Sequence, residues 1–189
     1  MKVSPSKRLS YRLLTQADGK LMYELDQDPE VMKFISNGKT NTMDDIEQIF
    51  IPRLKKYMNP SQGWGIWGVF EHASHDHLAD NKLADESFVG WILIRPMDFF
   101  GEQPKWNELE IGWRFKRASW GKGYASEAAK QVMTAVKALG IAKSISAIAL
   151  PDNTASIGVM KKLGLVYAST YLHKDPLGDV DVVYYRLDW

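Results

Sequence analysis

One stretch near the middle of the chain constrains the fold most: an alternating strand, a loop with two glycines and a long amphipathic helix. Residues 107 to 115 (NELEIGWRF) alternate between apolar and polar side chains, which is the period of a half-buried strand. Small and apolar residues recur at helical spacing over residues 125 to 139, and Gly140 follows as a stop signal. A strand that leads into a sheet-packing helix predicts a layered α/β arrangement.

The rest of the chain supplies further strands and helices around this unit. Apolar and β-branched runs predict strands over residues 8–14, 65–70, 88–94, 144–150, 165–172 and 180–187. Capping signals predict helices after Thr15, Asp28-Pro29, Thr42 and Asn153, and Pro52 predicts a kink in the third of these. We find no internal repeat or composition shift, so we expect one domain over residues 1–189, with its core over about 8–188.

Charge and composition exclude several classes of protein. Lys and Arg total 24 against 23 Asp and Glu, so no general field attracts nucleic acid or an anionic membrane. No run approaches the ~20 apolar residues of a membrane span, and the first ten residues lack a signal-peptide core. The chain has no cysteine, which excludes disulfides and a cysteine nucleophile. We therefore expect a cytoplasmic protein, as a monomer or a homodimer, with no nucleic-acid or membrane partner.

The loop before the long helix has the features of a phosphate cradle. Gly121 and Gly123 allow the backbone to fold so that its N–H groups converge with those of the helix N-terminus, and Lys122 and Arg117 add positive charge. Glycines at this spacing also serve in ordinary turns, so both interpretations stay open. A P-loop and a dinucleotide fingerprint both fit worse, because Lys122 precedes Gly123 and Ser126 occupies the place of a third glycine.

Three further motifs carry a resemblance to a known family. They are Glu110-Ile111-Gly112-Trp113, then residues 120–128 (WGKGYASEA), then Asn153-Thr154-Ala155-Ser156 with Lys162-Leu163-Gly164. In this order they resemble the GNAT superfamily of N-acetyltransferases, and the nearest branch is that of ribosomal-protein N-terminal acetyltransferases. The opening of that branch is matched by Arg12-Leu13 and Asp28-Pro29-Glu30-Val31-Met32.

The resemblance implies a fold and a co-substrate. The fold is a single α/β (α+β) domain whose mixed, twisted sheet of about six to seven strands is splayed at the fourth strand, with about four helices. Acetyl-CoA would lie in the opening, with its pantetheine arm on the backbone of Ile111 and Trp113. Its pyrophosphate would lie on the loop, and Asn153 and Ser156 would contact the rest of coenzyme A. The loop residues are Ala118, Ser119, Trp120, Gly121, Lys122, Gly123, Tyr124, Ala125 and Ser126.

Two residues are candidates for catalysis. Glu110 matches an acidic position of the branch and would take a proton from the attacking amine; the alternative is a surface carboxylate paired with Arg114. Ser156 lies one turn after Asn153 and is a candidate thiol contact, although an ordinary first-turn serine fits equally. The tyrosine acid of much of the superfamily is replaced by Met160. A bulge near Gly112 and Trp113 would supply an N–H for the oxyanion.

The sequence thus predicts an acetyl-CoA-dependent N-acetyltransferase whose acceptor is a primary amine. That amine is a protein N-terminal α-amine or a small-molecule amine, and the rival hypothesis is a non-catalytic acyl-CoA-binding regulatory module. Two departures from the family pattern are Met160 and Ala118, where Gln or Arg is common. Histidines crowd residues 72–77, but the chemistry requires no metal and we expect none. Trp64, Trp67 and Trp91 are interpreted as core residues rather than a base-stacking surface.

Overall fold

The computed structural model describes residues 1–72, 87–174 and 179–189. Their strands are β1 (Leu9–Leu13), β2 (Gly65–Glu71), β3 (Ser87–Met97), β4 (Lys105–Phe115), β5 (Ser144–Ala149), β6 (Val166–His173) and β7 (Val180–Asp188). They form one seven-stranded sheet in the order β1-β2-β3-β4-β5-β7-β6. Every neighbouring pair is antiparallel except β4 and β5, which are parallel. The predicted mixed sheet is therefore confirmed.

Five helical units lie between these strands in the described ranges, close to the four expected. They are α1 (Gly19–Leu25), α2 (Pro29–Ser36), the continuous unit of α3 (Met43–Asp45), a π-helical turn (Ile46–Phe50) and α4 (Ile51–Tyr57), then α5 (Tyr124–Lys137) and α6 (Thr154–Lys162). The predicted caps at Thr15, Asp28 and Thr42 are confirmed. Thr15 forms a capping box with Asp18, Thr42 forms one with Asp45, and Asp28 caps the start of α2.

Pro52 has a visible effect on the third helical unit. Proline has no N–H and its ring crowds the carbonyl four residues earlier, so an uninterrupted α-helix is unfavourable there. The residues just before it, Ile46–Phe50, adopt the wider π-helical spacing, and α4 then begins with Pro52 in its first turn. The predicted irregularity is thus accommodated by a π turn.

The sheet is the middle layer between two hydrophobic clusters. On one face, Leu109, Ile111 and Phe115 of β4 join buried residues of α5 in the larger cluster, as their alternation predicted. On the other face, a second cluster contains Leu25 of α1 and Leu54 of α4. Glu108 and Glu110 alternate with the larger cluster's residues, so the strand directs them to this second face. The fold therefore places these carboxylates on the sheet face that packs against α1 and α4.

Candidate active site

The central feature of the site is the separation of β4 from β5. Their parallel pairing extends only from Glu108–Ser144 to Glu110–Ser146, while β4 stays paired with β3 as far as Phe115. Beyond Glu110 the main-chain groups of β4 that face β5 have no strand partner, and a cleft opens there. It is lined by Phe34, Ile35, Trp91, Leu93, Ile111, Gly112, Trp113, Arg114, Ala147, Ile148, Ala149, Leu150, Asn153 and Ser156.

The splay at the fourth strand is therefore confirmed, but the predicted bulge near Gly112 and Trp113 is wrong. In the described residues, β3 and β4 are in continuous register from Gly90–Phe115 to Pro96–Leu109, and the only shift between them lies at Pro96 and Met97. Free main-chain groups near Gly112 come from the loss of the β5 partner instead. The separation of β5 from β4 leaves main-chain N–H groups unpaired, which is the effect that a bulge was expected to have.

Two predicted residues bridge the cleft. Trp113 on β4 donates from Nε1 to Ser156 Oγ on α6 at 3.3 Å. Asn153 Oδ1 accepts from the Ser156 backbone N–H at 3.1 Å and so caps α6. The Ser156 hydroxyl therefore acts as an acceptor from Trp113 and keeps its own proton for a ligand in the cleft. Met160, further along α6, is only 1% exposed and packs in the larger cluster, so it supplies no polar group to the cleft.

Glu110 is a buried member of an ion pair. Arg95 Nε and Nη2 donate to its two oxygens at 2.7 and 3.1 Å, and the residue is 8% exposed. The alternative of a surface carboxylate paired with Arg114 is wrong on both points. Arg114 pairs instead with buried Asp26, because Asp26 follows α1 above the same face of the sheet. Arg95 stands directly opposite Glu110 in the β3–β4 register, which explains the pairing actually formed.

A second buried carboxylate lies on the same face and was missed by the sequence analysis. Glu108 is 7% exposed, and its Oε1 accepts from Ser146 Oγ at 2.8 Å and from Tyr184 OH at 2.5 Å. Burial first, and then this hydrogen bond to Glu108, raise the pKa of Tyr184, so its hydroxyl stays protonated. The alternation of β4 places Glu108 on the same face as Glu110. The partners of Glu108, Ser146 and Tyr184, lie on strands remote in sequence and could not be predicted from that alternation.

Tyrosine hydroxyls extend this polar surface toward β6 and α4. The hydroxyl of Tyr171 is buried and has no hydrogen-bond partner among the residues that the structure describes. Burial raises its pKa to about 12, with Asp98, Glu110 and Glu108 adding to the shift. Burial likewise raises the pKa of Tyr57 to about 12. The hydroxyls of Tyr57 and Tyr171 are therefore protonated at neutral pH, and both lie close enough to Glu110 to interact with its charge.

The predicted phosphate loop begins where β4 ends. A single 3₁₀ turn (Arg117–Ser119) leads to Gly121 and Gly123, which have φ of +73° and +78°, and Gly123 is the N-cap of α5. A Cβ at Gly121 would meet nothing within 4 Å, so the surface around it is open. The first N–H groups of α5 lack acceptors within the helix. The loop therefore offers backbone donors and a positive helix end to an anion.

The side chains of this loop have different roles. Ala118, Trp120 and Lys122 are exposed, whereas Ser119 and Tyr124 are buried. Trp120 Nε1 donates to the Phe115 carbonyl oxygen at 2.9 Å and holds the exposed ring against the end of β4. Ala125 and Ser126 are partly exposed in the first turn of α5. The loop and the cleft are therefore joined through the end of β4.

The described ranges contain no candidate metal site of three or more ligands and no membrane-spanning helix. Within those ranges no group of three His, Cys, Asp or Glu side chains is placed to hold a metal ion. His75, Asp76 and His77 of the histidine-rich segment lie outside the described residues. No helix in the described part of the chain has the length and apolar character needed to cross a membrane.

An open sheet with a cleft at one parallel strand pair, joined to a glycine loop at a helix N-terminus, is an arrangement suited to a long phosphate-bearing cofactor. The model of the acetyltransferase (GNAT) domain matches residues 8–166. The chain belongs to this family of acetyltransferases. The resemblance to the GNAT superfamily found in the sequence is thereby confirmed.

Individual relatives agree with this assignment. The chain is 32% identical over 155 residues to the FsC-acetyl coenzyme A-N(2)-transacetylase of Aspergillus fumigatus, covering 80% of this chain and 59% of that protein. An acetyltransferase of the GNAT family from Bacillus anthracis superposes with a TM-score of 0.71 at 27% identity, over 100% of this chain and 98% of that one.

The ribosomal L7/L12 α-N-protein acetyltransferase RimL, solved in complex with coenzyme A, shares the fold. Its TM-score is 0.72 at 13% identity, over 100% of this chain and 98% of that one. At that identity the likeness shows the fold alone. A ribosomal-protein acetyltransferase is therefore among the solved structures with this architecture.

Proposed function

We propose that this protein transfers the acetyl group of acetyl-CoA to a primary amine that enters over the second face of the sheet. One observation carries the proposal: the cleft where β4 leaves β5 lies between the open glycine loop and the buried carboxylates. A cofactor that spans this cleft would bring a group at its far end to Glu110. The arrangement supports direct attack of an amine on a thioester held in the cleft.

The described residues fit acetyl-CoA at both ends of the cleft. Backbone N–H groups of the loop from Ala118 to Ser126 would hold the pyrophosphate, since the space at Gly121 is open and the helix end is positive. The unpaired main-chain groups of β4 at Ile111 and Trp113 would hold the pantetheine arm, and Asn153 and Ser156 line the opposite wall. When bound, the cofactor supplies an acetyl thioester, which is activated for attack by an amine.

Each step then has a residue to assist it. An amine nucleophile must be neutral, and Glu110 takes the proton that the amine loses, directly or through a water. A main-chain N–H of β4 that lacks its β5 partner donates to the thioester oxygen and stabilises its negative charge as the amine nitrogen bonds to the carbonyl carbon. The carbon–sulfur bond breaks while the Ser156 hydroxyl donates a hydrogen bond to the departing sulfur. The sulfur takes its proton from water, and Glu110 returns its own proton to solvent. The products are an amide and a free thiol.

The identity of the acceptor amine is the second part of the proposal. The Aspergillus relative is named for acetylation of FsC at N(2), and RimL is named for a protein α-amine, so both small amines and N-terminal peptides are candidates. We propose a primary amine of one of these two classes. Free-thiol release with acetyl-CoA, measured against FsC, N-terminal peptides and simple amines, tests this choice. Saturable release with one class names the acceptor. Absence of release with every amine, together with binding of acetyl-CoA, would support a non-catalytic acyl-CoA-binding module.

A further inference from the structure

Arg8, just before β1, connects the start of the chain to the phosphate loop. Its Nη1 donates to the Lys122 carbonyl oxygen at 2.9 Å. Its Nε and Nη2 both donate to Glu127 Oε2, at 2.8 and 2.6 Å. One guanidinium therefore holds a loop carbonyl and a carboxylate of the first turn of α5 together, although Arg8 is more than a hundred residues from both.

Neighbouring groups fix this guanidinium and its partner. Ser6 Oγ donates to Glu127 Oε1 at 2.7 Å, and the guanidinium lies 4.5 Å above the centre of the Tyr124 ring. The Tyr124 hydroxyl in turn donates to Glu71 at the end of β2. Burial alone would raise the pKa of Glu127, but the hydrogen bonds from Ser6 and Arg8 outweigh it and lower that pKa. The carboxylate is therefore ionised at neutral pH.

These contacts affect the loop in two ways. The carbonyl and N–H of one trans peptide point in opposite directions, and the described backbone contains no cis peptide. When Arg8 holds the Lys122 carbonyl, the Gly123 N–H on the same peptide points away from Arg8. In addition, the Glu127 charge beside the helix N-terminus would repel a phosphate, and the Arg8 charge offsets it. Arg8 thus both orients a backbone donor and neutralises a nearby anion.

We propose that Arg8 is a positioning residue for the pyrophosphate of acetyl-CoA, acting through the Lys122–Gly123 peptide and Glu127. This inference rests on the proposed function, because it requires that the loop bind that pyrophosphate. It predicts a defect that depends on the donor. Loss of Arg8 should raise KM for an acetyl donor that contains pyrophosphate and leave KM for an acetyl donor without pyrophosphate nearly unchanged.

The test compares acetyl-CoA with S-acetylpantetheine, which carries the same thioester and arm without pyrophosphate or nucleotide. For Arg8→Ala we expect kcat/KM with acetyl-CoA to fall about tenfold through KM, as for loss of charge-assisted hydrogen bonds. With S-acetylpantetheine we expect a change of less than about twofold. Arg8→Lys keeps the charge and one donor, so it should recover part of the loss. Because both donors are compared on one variant, a general loss of stability cannot imitate the result.

Arg12→Ala is the matched control, since Arg12 lies on β1, pairs with Asp18 and stacks on Phe70. We expect its KM for acetyl-CoA to match that of the wild type. An equal loss with both donors in Arg8→Ala, or an unchanged KM for acetyl-CoA, would overturn the role of Arg8. A wild-type protein that uses S-acetylpantetheine and acetyl-CoA equally well would instead remove the phosphate loop from the proposed function.

Discussion

Arg95 Nε and Nη2 donate to the two different carboxylate oxygens of Glu110, at 2.7 and 3.1 Å, across the β3–β4 pair. Both oxygens keep lone pairs that the guanidinium does not use. The ion pair fixes the direction of the carboxylate at the point where β5 leaves β4. Glu110 is thus held in place beside the cleft, in the orientation that the proposed proton transfer requires.

Replacement of the carboxylate tests this role directly. We expect Glu110→Gln to lower kcat by about a hundredfold or more, the scale of a lost general base, because the amide has the same shape but accepts protons poorly. Steady-state thiol release over a range of pH measures the effect.

Arg95→Gln breaks the same ion pair but keeps the carboxylate, so it separates catalysis from structure. It should reduce kcat much less than Glu110→Gln does. Equal losses in the two variants would mean that Glu110 serves only as the partner of Arg95.

The bond between Trp113 and Ser156 allows a similar separation on the thiol side. Ser156→Ala removes the hydroxyl that would donate a hydrogen bond to the departing sulfur. A free thiol has a pKa near 8.5, so this stabilisation of the thiolate helps without being obligatory, and we expect kcat to fall about three- to tenfold. Trp113→Phe removes the hydrogen bond and leaves the hydroxyl. If Trp113→Phe lowers kcat as much as Ser156→Ala does, the hydroxyl has no chemical role of its own.

Gly121 tests the loop. Its φ is +73°, and a Cβ there would meet no atom within 4 Å, so alanine is disfavoured by backbone conformation and not by contact. The conformational cost is about 1–2 kcal/mol and falls on the loop itself. We expect Gly121→Ala to raise KM for acetyl-CoA several-fold and to leave KM for the amine unchanged.

Gly140, at φ +65° and with equally open surroundings, is the control at the other end of α5. Gly140→Ala should destabilise the fold by a similar amount without changing KM for acetyl-CoA. If both variants change KM for acetyl-CoA alike, the effect of Gly121→Ala comes from loss of stability and not from the phosphate loop.

Tyr57 gives a prediction for alkaline pH. Burial raises its pKa to about 12 in the folded protein, against about 10 in an unfolded chain. Between these values the folded state binds more protons than the unfolded state, so the free energy of unfolding decreases as pH rises. This part of the stability is complete below about pH 10 and lost as pH passes 12.

Chemical denaturation at pH 9 and at pH 11 measures the effect. Tyr57→Phe, which has no hydroxyl to ionise, should lose less stability over this interval than the wild type. Identical losses would show that ionisation of Tyr57 is not coupled to unfolding.

Local chemistry explains what could be predicted from the sequence. The capping boxes at Thr15 and Thr42 join residues three apart, and the alternation of β4 directs Ile111 and Glu110 to opposite faces by the geometry of a single strand. The glycine loop could be located because Gly121 and Gly123 adopt a backbone conformation that other residues avoid. Each of these features depends on a few consecutive residues.

The ion pairs could not be predicted in the same way. Glu110 and Arg114 are neighbours on one strand face, yet each pairs with a residue from another element, Arg95 and Asp26 respectively. Those partners are fixed by strand register and by the packing of α1 on the sheet. The contact of Arg8 with Glu127 likewise spans 119 residues of sequence. Such contacts depend on the whole fold and leave no local pattern.

The location of the cofactor thiol is the most direct test of the site, and the lack of cysteine in this chain makes it accessible. Ser156→Cys introduces the sole thiol at the wall of the cleft, and Lys137→Cys introduces one at the far end of α5 as a control. Each is treated with the disulfide form of coenzyme A and followed by intact mass. We predict that the cysteine at position 156 forms a mixed disulfide with coenzyme A at a saturable rate, that acetyl-CoA competes, and that the control does neither. A rate at position 156 that is no faster than the control and insensitive to acetyl-CoA would contradict the placement of coenzyme A in this cleft.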